Sequence, residues 1–200
     1  MKKIAKIIGI TGGLATGKSY VSRILLENLG NKAILFDADK MVHELFIHNQ
    51  EVINLIGKQF PAVVKKQQID RGFLGEIVFN DPQKLTKLEQ IIHPFVEEEL
   101  KKHFEQNTSD FIILDVPLLF ETNLHKYCQH IILTICERKV QIKRVEARGN
   151  NLSRLEIVEQ RMLKEEDKKQ LANFIIDTTL PENDFKDYMQ NIITKIKDKS

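Results

Sequence analysis

Cysteine is scarce in this 200-residue chain: Cys128 and Cys136 stand eight residues apart, with no metal-ligand partners at zinc spacing. Such a pair fits reduced, largely buried thiols of a cytosolic protein. Excess charge of either sign is missing too, since 30 Lys and Arg face 28 Asp and Glu. No overall field therefore argues for nucleic acid or an anionic membrane, and any basic site is local. No apolar run approaches the roughly 20 residues that span a bilayer, so a soluble chain without a membrane partner is expected. The opening MKKIAKIIGITGG has lysines and a short apolar stretch but runs into glycines and Lys18 without a small-residue cleavage site, which argues against a signal peptide. No fixed-period repeat and no Pro/Gly/Ser-rich linker divides the chain, so any second lobe is an insertion.

Hydrophobic residues at 42% and charged residues at 29% are ordinary globular values, and the length supports one self-sufficient core. Short apolar, β-branched runs at Ile4 to Ile10, Ala33 to Phe36, Phe111 to Leu114, His130 to Ile135 and Phe174 to Ile176 read as five buried strands. Helical patterns begin near Lys18, Lys40, Pro82, Pro94, Glu137 and Ser153, and this alternation predicts an α/β fold with a parallel sheet covered on both faces. Between the second and third strands, roughly 70 residues read almost wholly helical, more than a crossover needs, which points to a substrate-binding insertion. Within it, His93-Pro94 predicts a helix break at His93, with Pro94 opening a new helix.

The strongest chemical signal is Gly12-Gly13-Leu14-Ala15-Thr16-Gly17-Lys18-Ser19, a GxxxxGK[ST] loop that follows a predicted strand and opens a predicted helix. Glycines let backbone N–H groups curl around phosphate oxygens, and the following helix presents its unsatisfied donors and positive end. Lys18 then reaches the β- and γ-phosphates, and Ser19 offers a hydroxyl to magnesium, so ATP with Mg2+ is implied. GxGxxG is absent, which disfavours a dinucleotide site although Asp37 and Asp39 follow the glycines at about the ribose-binding distance.

Asp37-Ala38-Asp39 sits just past the second predicted strand, and in an open parallel sheet the carboxyl ends of the strands line the ligand crevice, so either aspartate is a candidate for orienting an attacking hydroxyl. Helix capping is the rival reading. Asp115 ends the run Phe111-Ile112-Ile113-Leu114 as a Walker-B-like carboxylate that assists magnesium directly or through water, with a cap or turn as the rival. From Glu137 to Arg148, the residues Gln141, Arg144 and Arg148 share one helical face before Gly149-Asn150-Asn151. They suit a lid that brings charge to a triphosphate, or equally a solvated face.

Taken together, these segments resemble the dephospho-coenzyme A kinase family over nearly the whole chain. The resemblance rests on the TGG-x-x-x-GKS loop at Thr11 to Ser19, Asp37-Ala38-Asp39, Asp70-Arg71 with Leu74, Ile77-Val78-Phe79 and Asp81-Pro82, Leu88 to Val96 with its His93-Pro94, and Val116-Pro117-Leu118-Leu119-Phe120-Glu121. It implies a P-loop NTPase fold of three layers, α/β/α, with a five-stranded parallel sheet, a helical substrate lobe over about 44–108 and a helical lid over about 138–168. It further implies ATP-dependent phosphorylation of the ribose 3'-hydroxyl of dephospho-coenzyme A, with Asp39 as the base. Lys18 and Arg148 would act on the transferred group. Gly12, Gly13, Ala15, Thr16, Gly17, Lys18, Ser19, Tyr20 and Arg144 would hold ATP, and Asp37, Arg71, His93, Pro117 and Leu118 the acceptor. A buried structural role competes for His93, and a surface ion pair for Arg71.

Three departures from the family pattern stand out. Tyr20 follows GKS where a second hydroxyl residue is usual, the stretch Arg161 to Lys169 is short and lacks a glutamine, and Ile176-Asp177-Thr178-Thr179 stands where an asparagine and a glycine are common. Among other readings, a regulatory GTPase needs an NKxD element, whereas Asn31-Lys32-Ala33-Ile34 lacks the aspartate and lies too early. A kinase of another small molecule, such as a nucleoside or nucleotide, would share loop, lid and base. A nucleic-acid-binding module would need a clustered basic patch.

Overall fold

The computed structural model describes residues 5–79, 81–149 and 152–198, with the side chain of Arg154 outside that description. Its elements begin with β1 (Lys6–Gly12), α1 (Lys18–Leu29), β2 (Ala33–Asp37), α2 (Ala38–His48), α3 (Gln50–Gln59), β3 (Val64–Lys65), β4 (Gln68–Ile69), α4 (Arg71–Phe79) and α5 (Pro82–Gln106). They continue with β5 (Phe111–Asp115), β6 (His130–Ile135), α6 (Arg138–Ala147), α7 (Leu152–Arg161), α8 (Glu165–Leu171), β7 (Phe174–Asp177) and α9 (Glu182–Asp198). They form two compact units, one of residues up to Phe36 with Thr108 onward, the other Asp37–Asn107.

The first unit is built on a parallel sheet in the order β2-β5-β1-β6-β7, flanked by helices as a three-layer α/β/α arrangement. Strand β1 is central, with Ile8 opposite Ile113 of β5 on one side and His130 of β6 on the other. Period-two alternation sends Ile8, Ile10, Ile113 and Ile132 to one face, where Val21 and Leu25 of α1 and Phe185, Met189, Ile192 and Ile196 of α9 bury them. The intervening Ile7, Ile112, Leu114 and Leu133 are buried as well, so both faces are covered and the strands read as continuous apolar runs. The five predicted strands are all present: β6 has the predicted ends, while β2, β5 and β7 each run one residue further. Strand β1 runs on past Ile10 because Thr11 and Gly12 still pair with Leu133 and Thr134, while Ile4 lies outside the described residues.

The second unit holds α2 to α5 and a small antiparallel hairpin, β3 with β4. The expectation of an almost wholly helical segment is corrected by that hairpin. Its turn places Lys66 and Gln67 at φ 50° and 60°, the left-handed pair that a two-residue hairpin needs. Neither residue type signals such a turn. Helices α3 and α4 start where Asn49 and Asp70 accept backbone N–H groups, from Val52 at 3.0 Å and Phe73 at 3.0 Å.

The predicted break at His93 is also corrected: α5 runs unbroken for 25 residues with Pro94 in its interior. An interior proline costs about 3 kcal/mol through the missing N–H and the clash with the preceding turn. Against that stands one buried stripe, Leu85, Leu88, Ile92, Val96 and Leu100, whose spacing continues through the proline. Each such side chain contributes about 1.5–3 kcal/mol on burial, so tertiary packing outweighs the local preference. Because Pro94 itself is exposed, Pro94→Ala is expected to raise stability by about 1–3 kcal/mol in urea denaturation. A destabilised P94A would instead mean that the proline is required where it stands.

Candidate active site

Between β1 and α1 the chain passes through Gly12 to Gly17, and a neighbour governs each part of that loop. At Gly12 a Cβ would lie 2.3 Å from Thr134 Oγ1 and 2.4 Å from the Thr134 carbonyl, so only glycine fits against β6. Ala15 and Gly17 take left-handed φ values of 59° and 99°, and this alternation folds the loop back on itself. The five consecutive carbonyls from Gly12 to Thr16 are each bound by a side-chain donor. Lys18 Nζ donates to Gly12 O at 3.0 Å and Gly13 O at 2.9 Å, and the Thr16 hydroxyl also donates to Gly13 O at 2.9 Å. Gln141 Nε2 donates to Leu14 O at 2.9 Å, Arg144 Nη1 to Ala15 O at 3.4 Å and Thr178 Oγ1 to Thr16 O at 2.8 Å. A trans peptide points its N–H opposite to its C=O, so carbonyls tied to these side chains turn the intervening N–H groups the other way. The loop is thereby a nest of donors suited to an anion.

Helix α1 adds its own N-terminus. Its N-cap Gly17 carries no capping side chain and no acidic residue lies in the first turn, so the positive end of the dipole is not offset locally. Lys18 is half-buried, whereas Ser19 and Tyr20 are exposed. The Tyr20 ring stacks on Phe185 with centroids 5.2 Å apart, and the Arg23 guanidinium lies 5.6 Å from its centre. One turn on, Ser22 Oγ lies 2.9 Å from Asp115 Oδ2 and 3.0 Å from Lys18 O. That contact fixes the buried Asp115 carboxylate at the end of β5 against the helix that carries Lys18 and Ser19. Pro117 and Leu118, half-buried just beyond, are held by the Thr11 hydroxyl donating to Pro117 O at 3.0 Å.

Of the arginine-bearing face, the structure brings Gln141 and Arg144 to the loop and leaves Arg148 exposed as the residue that ends α6. Arg144 is gripped twice more, by Thr178 Oγ1 at 2.8 Å and Thr178 O at 3.1 Å. Arg138 pairs with Glu159 of α7 and donates to Gln141 Oε1 at 2.8 Å. A small apolar cluster of Ala15, Val145 and Leu155, with Leu14 and Ile142 against it, packs α6 and α7 on the back of the loop. Gly149 follows α6 as expected, while Asn150 and Asn151 lie outside the described residues.

Further along, Lys168 of α8 is buried with its ammonium 3.6 Å from Glu121 Oε1, the oxygen that also accepts the Leu163 N–H at 2.7 Å. Burial pulls the Lys168 pKa below its ordinary value, and Glu121 opposes that pull. Both cysteines are unpaired, and burial pushes the Cys128 thiol up to about 12 and raises that of Cys136. Cys128 Sγ occupies the space a Cβ at Gly9 would need, 2.7 Å away.

In the second unit Asp37 caps α2, its Oδ1 accepting the Lys40 N–H at 2.9 Å, while Asp39 stands exposed in the first turn of that helix. Arg71 is the exposed first residue of α4. The ion pair at this corner belongs to Asp70, 2.6 Å from Lys65 Nζ, whose hydrogen bond holds the Asp70 carboxyl below its usual range. His93 is exposed on α5, which corrects the alternative of a buried histidine at a helix junction. Sequence reasoning missed Ser22, Thr134 and the contacts of Thr178. The available signals were a threonine inside the apolar run His130 to Ile135 and a hydroxyl one turn after Lys18.

Residues 6–182 match the family model described as dephospho-CoA kinase. The chain belongs to the dephospho-CoA kinase family. A dephospho-CoA kinase of Ehrlichia canis (strain Jake) is 33% identical over 197 residues, covering 96% of this chain and 97% of its own. Among solved structures, the dephospho-CoA kinase from Campylobacter jejuni superposes with a TM-score of 0.66 at 27% identity, covering 95% of this chain and 96% of its own. TT1252 from Thermus thermophilus superposes with a TM-score of 0.77 at 28% identity, covering 97% and 99%. The dephospho-CoA kinase match takes in both units and ends on the first residue of α9, the helix that closes one face of the sheet. Among the described residues, no helix is long and apolar enough to cross a membrane.

Proposed function

We propose that this chain transfers the γ-phosphoryl group of ATP to the ribose 3'-hydroxyl of dephospho-coenzyme A, giving coenzyme A and ADP. The observation that carries the reading is a donor-lined phosphate loop, Gly12 to Ser19, inside a chain that matches the dephospho-CoA kinase family over residues 6–182. The N–H groups of the loop bind phosphate oxygens, and Lys18 offsets the charge that builds on the β- and γ-phosphates. Arg144 holds the nucleotide from α6, and Arg148, exposed at the helix end, reaches the transferred group as part of a lid over about 138–168. The acceptor is bound by the helical second unit through Asp37, Arg71 and His93, with Pro117 and Leu118 beside the sheet. Asp39 orients the 3'-hydroxyl and takes its proton as the new O–P bond forms and the bond to the departing ADP oxygen breaks.

Magnesium fits the donors present. Ser19 offers a hydroxyl and Asp115 a carboxylate, hard oxygen ligands of the kind this cation takes. Among the described residues no cluster of three or more His, Cys, Asp or Glu could hold a metal, which suits an ion carried mainly by nucleotide phosphates and water. Bound there, it would neutralise phosphate charge. Two unpaired cysteines suit a reducing compartment, so we place the enzyme in the cytoplasm.

The test is ADP release with Mg-ATP, comparing dephospho-coenzyme A, adenosine, nucleoside monophosphates and no acceptor. Turnover confined to dephospho-coenzyme A, with coenzyme A formed, is expected. Turnover with another acceptor alone would keep the kinase and discard this substrate. Asp39→Asn is expected to lower kcat by about 10²-fold with an unchanged thermal transition, because a positioned base contributes about that much. Near-normal kcat in D39N would remove Asp39 from the mechanism.

A further inference from the structure

The Thr178 hydroxyl is where three parts of the nucleotide loop's surroundings meet. It donates to Thr16 O at 2.8 Å and lies 2.8 Å from Arg144 Nη1, whose guanidinium also reaches Ala15 O and Thr178 O. A hydroxyl has one proton to give and lone pairs to receive, so donating to Thr16 and accepting from Arg144 uses both capacities at once. Its methyl group sets the clearance at Gly17, where a Cβ would be 2.8 Å from Thr178 Cγ2, and Gly17 sits at φ 99°. The backbone N–H of Thr178 donates to Ile135 O at 2.9 Å, anchoring the residue to the end of β6. A fixed residue beyond the last strand therefore holds the loop and α6 together.

We propose that Thr178 is a positioning residue for ATP. Its hydroxyl keeps the Thr16 carbonyl turned out, which aims the Gly17 N–H at the phosphates. It also holds Arg144 against the loop, leaving that arginine little freedom to swing away. This assignment rests on the loop being the ATP site, as proposed above, and it gives Thr178 a part that the acceptor does not share. Valine at 178 keeps the methyl group and the shape, so it isolates the hydroxyl. Serine keeps the hydroxyl and loses the methyl.

The experiment is calorimetric titration of Mg-ATP into wild type, Thr178→Val, Thr178→Ser and Thr178→Ala without acceptor, with steady-state kinetics alongside. The expected result is ATP affinity lowered about tenfold or more in T178V and T178A, since a bonded buried acceptor and an arginine contact are lost together. T178S is expected within about threefold of wild type, and KM for the acceptor is expected to stay within about twofold in all three, in line with a purely nucleotide-side loss. Should T178V fail to fold, the contrast between T178A and T178S carries the same decision. ATP affinity in folded T178V or T178A equal to that of T178S would overturn the proposal, as would an equal loss in all three. Because affinity is read without acceptor, failure to phosphorylate dephospho-coenzyme A would sink the functional reading and leave this one standing. A wild type that does not bind ATP would sink both.

Discussion

Replacing Lys18 by alanine is expected to reduce kcat/KM for ATP by about 10²- to 10³-fold while lowering the thermal transition by only a few degrees. The ammonium does two things. It donates to Gly12 O and Gly13 O, closing the start of the loop, and in the proposed reaction it is the cation the loop itself supplies where phosphate charge accumulates. Loss of the two carbonyl contacts costs about 1 kcal/mol each at most, at a half-buried site where water can substitute. Loss of the cation is felt chiefly in the transition state, where removing one preorganised charge contact costs about 3–4 kcal/mol. Lys18→Arg is expected to be impaired as well, because a planar fork cannot reproduce a compact ammonium bonded to two adjacent carbonyls. ATP turnover in K18A within tenfold of wild type would contradict the assignment of the loop.

Gly12→Ala is expected to lower both stability and activity, for a steric reason. The added methyl would meet Thr134 Oγ1 at 2.3 Å, Thr134 O at 2.4 Å and Thr16 Oγ1 at 2.7 Å. Thr134 cannot retreat, because it pairs with Gly12 across the β1–β6 ladder and its hydroxyl lies 2.8 Å from that of Thr16. Overpacking at a backbone contact of this kind costs about 1–3 kcal/mol or more. The displaced loop carbonyls would also disorder the N–H groups behind them, so ATP affinity falls with stability. Urea denaturation and ATP titration of G12A together test this, and a variant within 1 kcal/mol of wild type would mean that β6 yields where the ladder says it is held.

The GxxxxGK[ST] loop was legible because its pattern is local: glycines, a lysine and a hydroxyl at fixed spacing mark one strand-to-helix turn. The five strands were legible for a similar reason, since buried parallel strands are short unbroken apolar runs. What misled was local chemistry overruled at a distance. Pro94 reads as a break but sits inside α5 because a stripe of five buried residues runs through it. Lys66 and Gln67 fall in the segment read as almost wholly helical but adopt left-handed turn geometry because β3 and β4 pair on either side. The capping reading of Asp37 proved apt, as its carboxylate accepts the Lys40 N–H.

By itself the sequence determined the fold class, the phosphate loop and the family likeness, because each is written in contiguous patterns of a few residues. Only the tertiary structure decided which side chains hold that loop in shape. Gln141, Arg144 and Thr178 lie more than a hundred residues from Leu14, Ala15 and Thr16, and they meet there because β6 lies beside β1 in the sheet and β7 beside β6. No spacing rule encodes such contacts, since strand order is chosen by the burial of whole faces and not by any one segment.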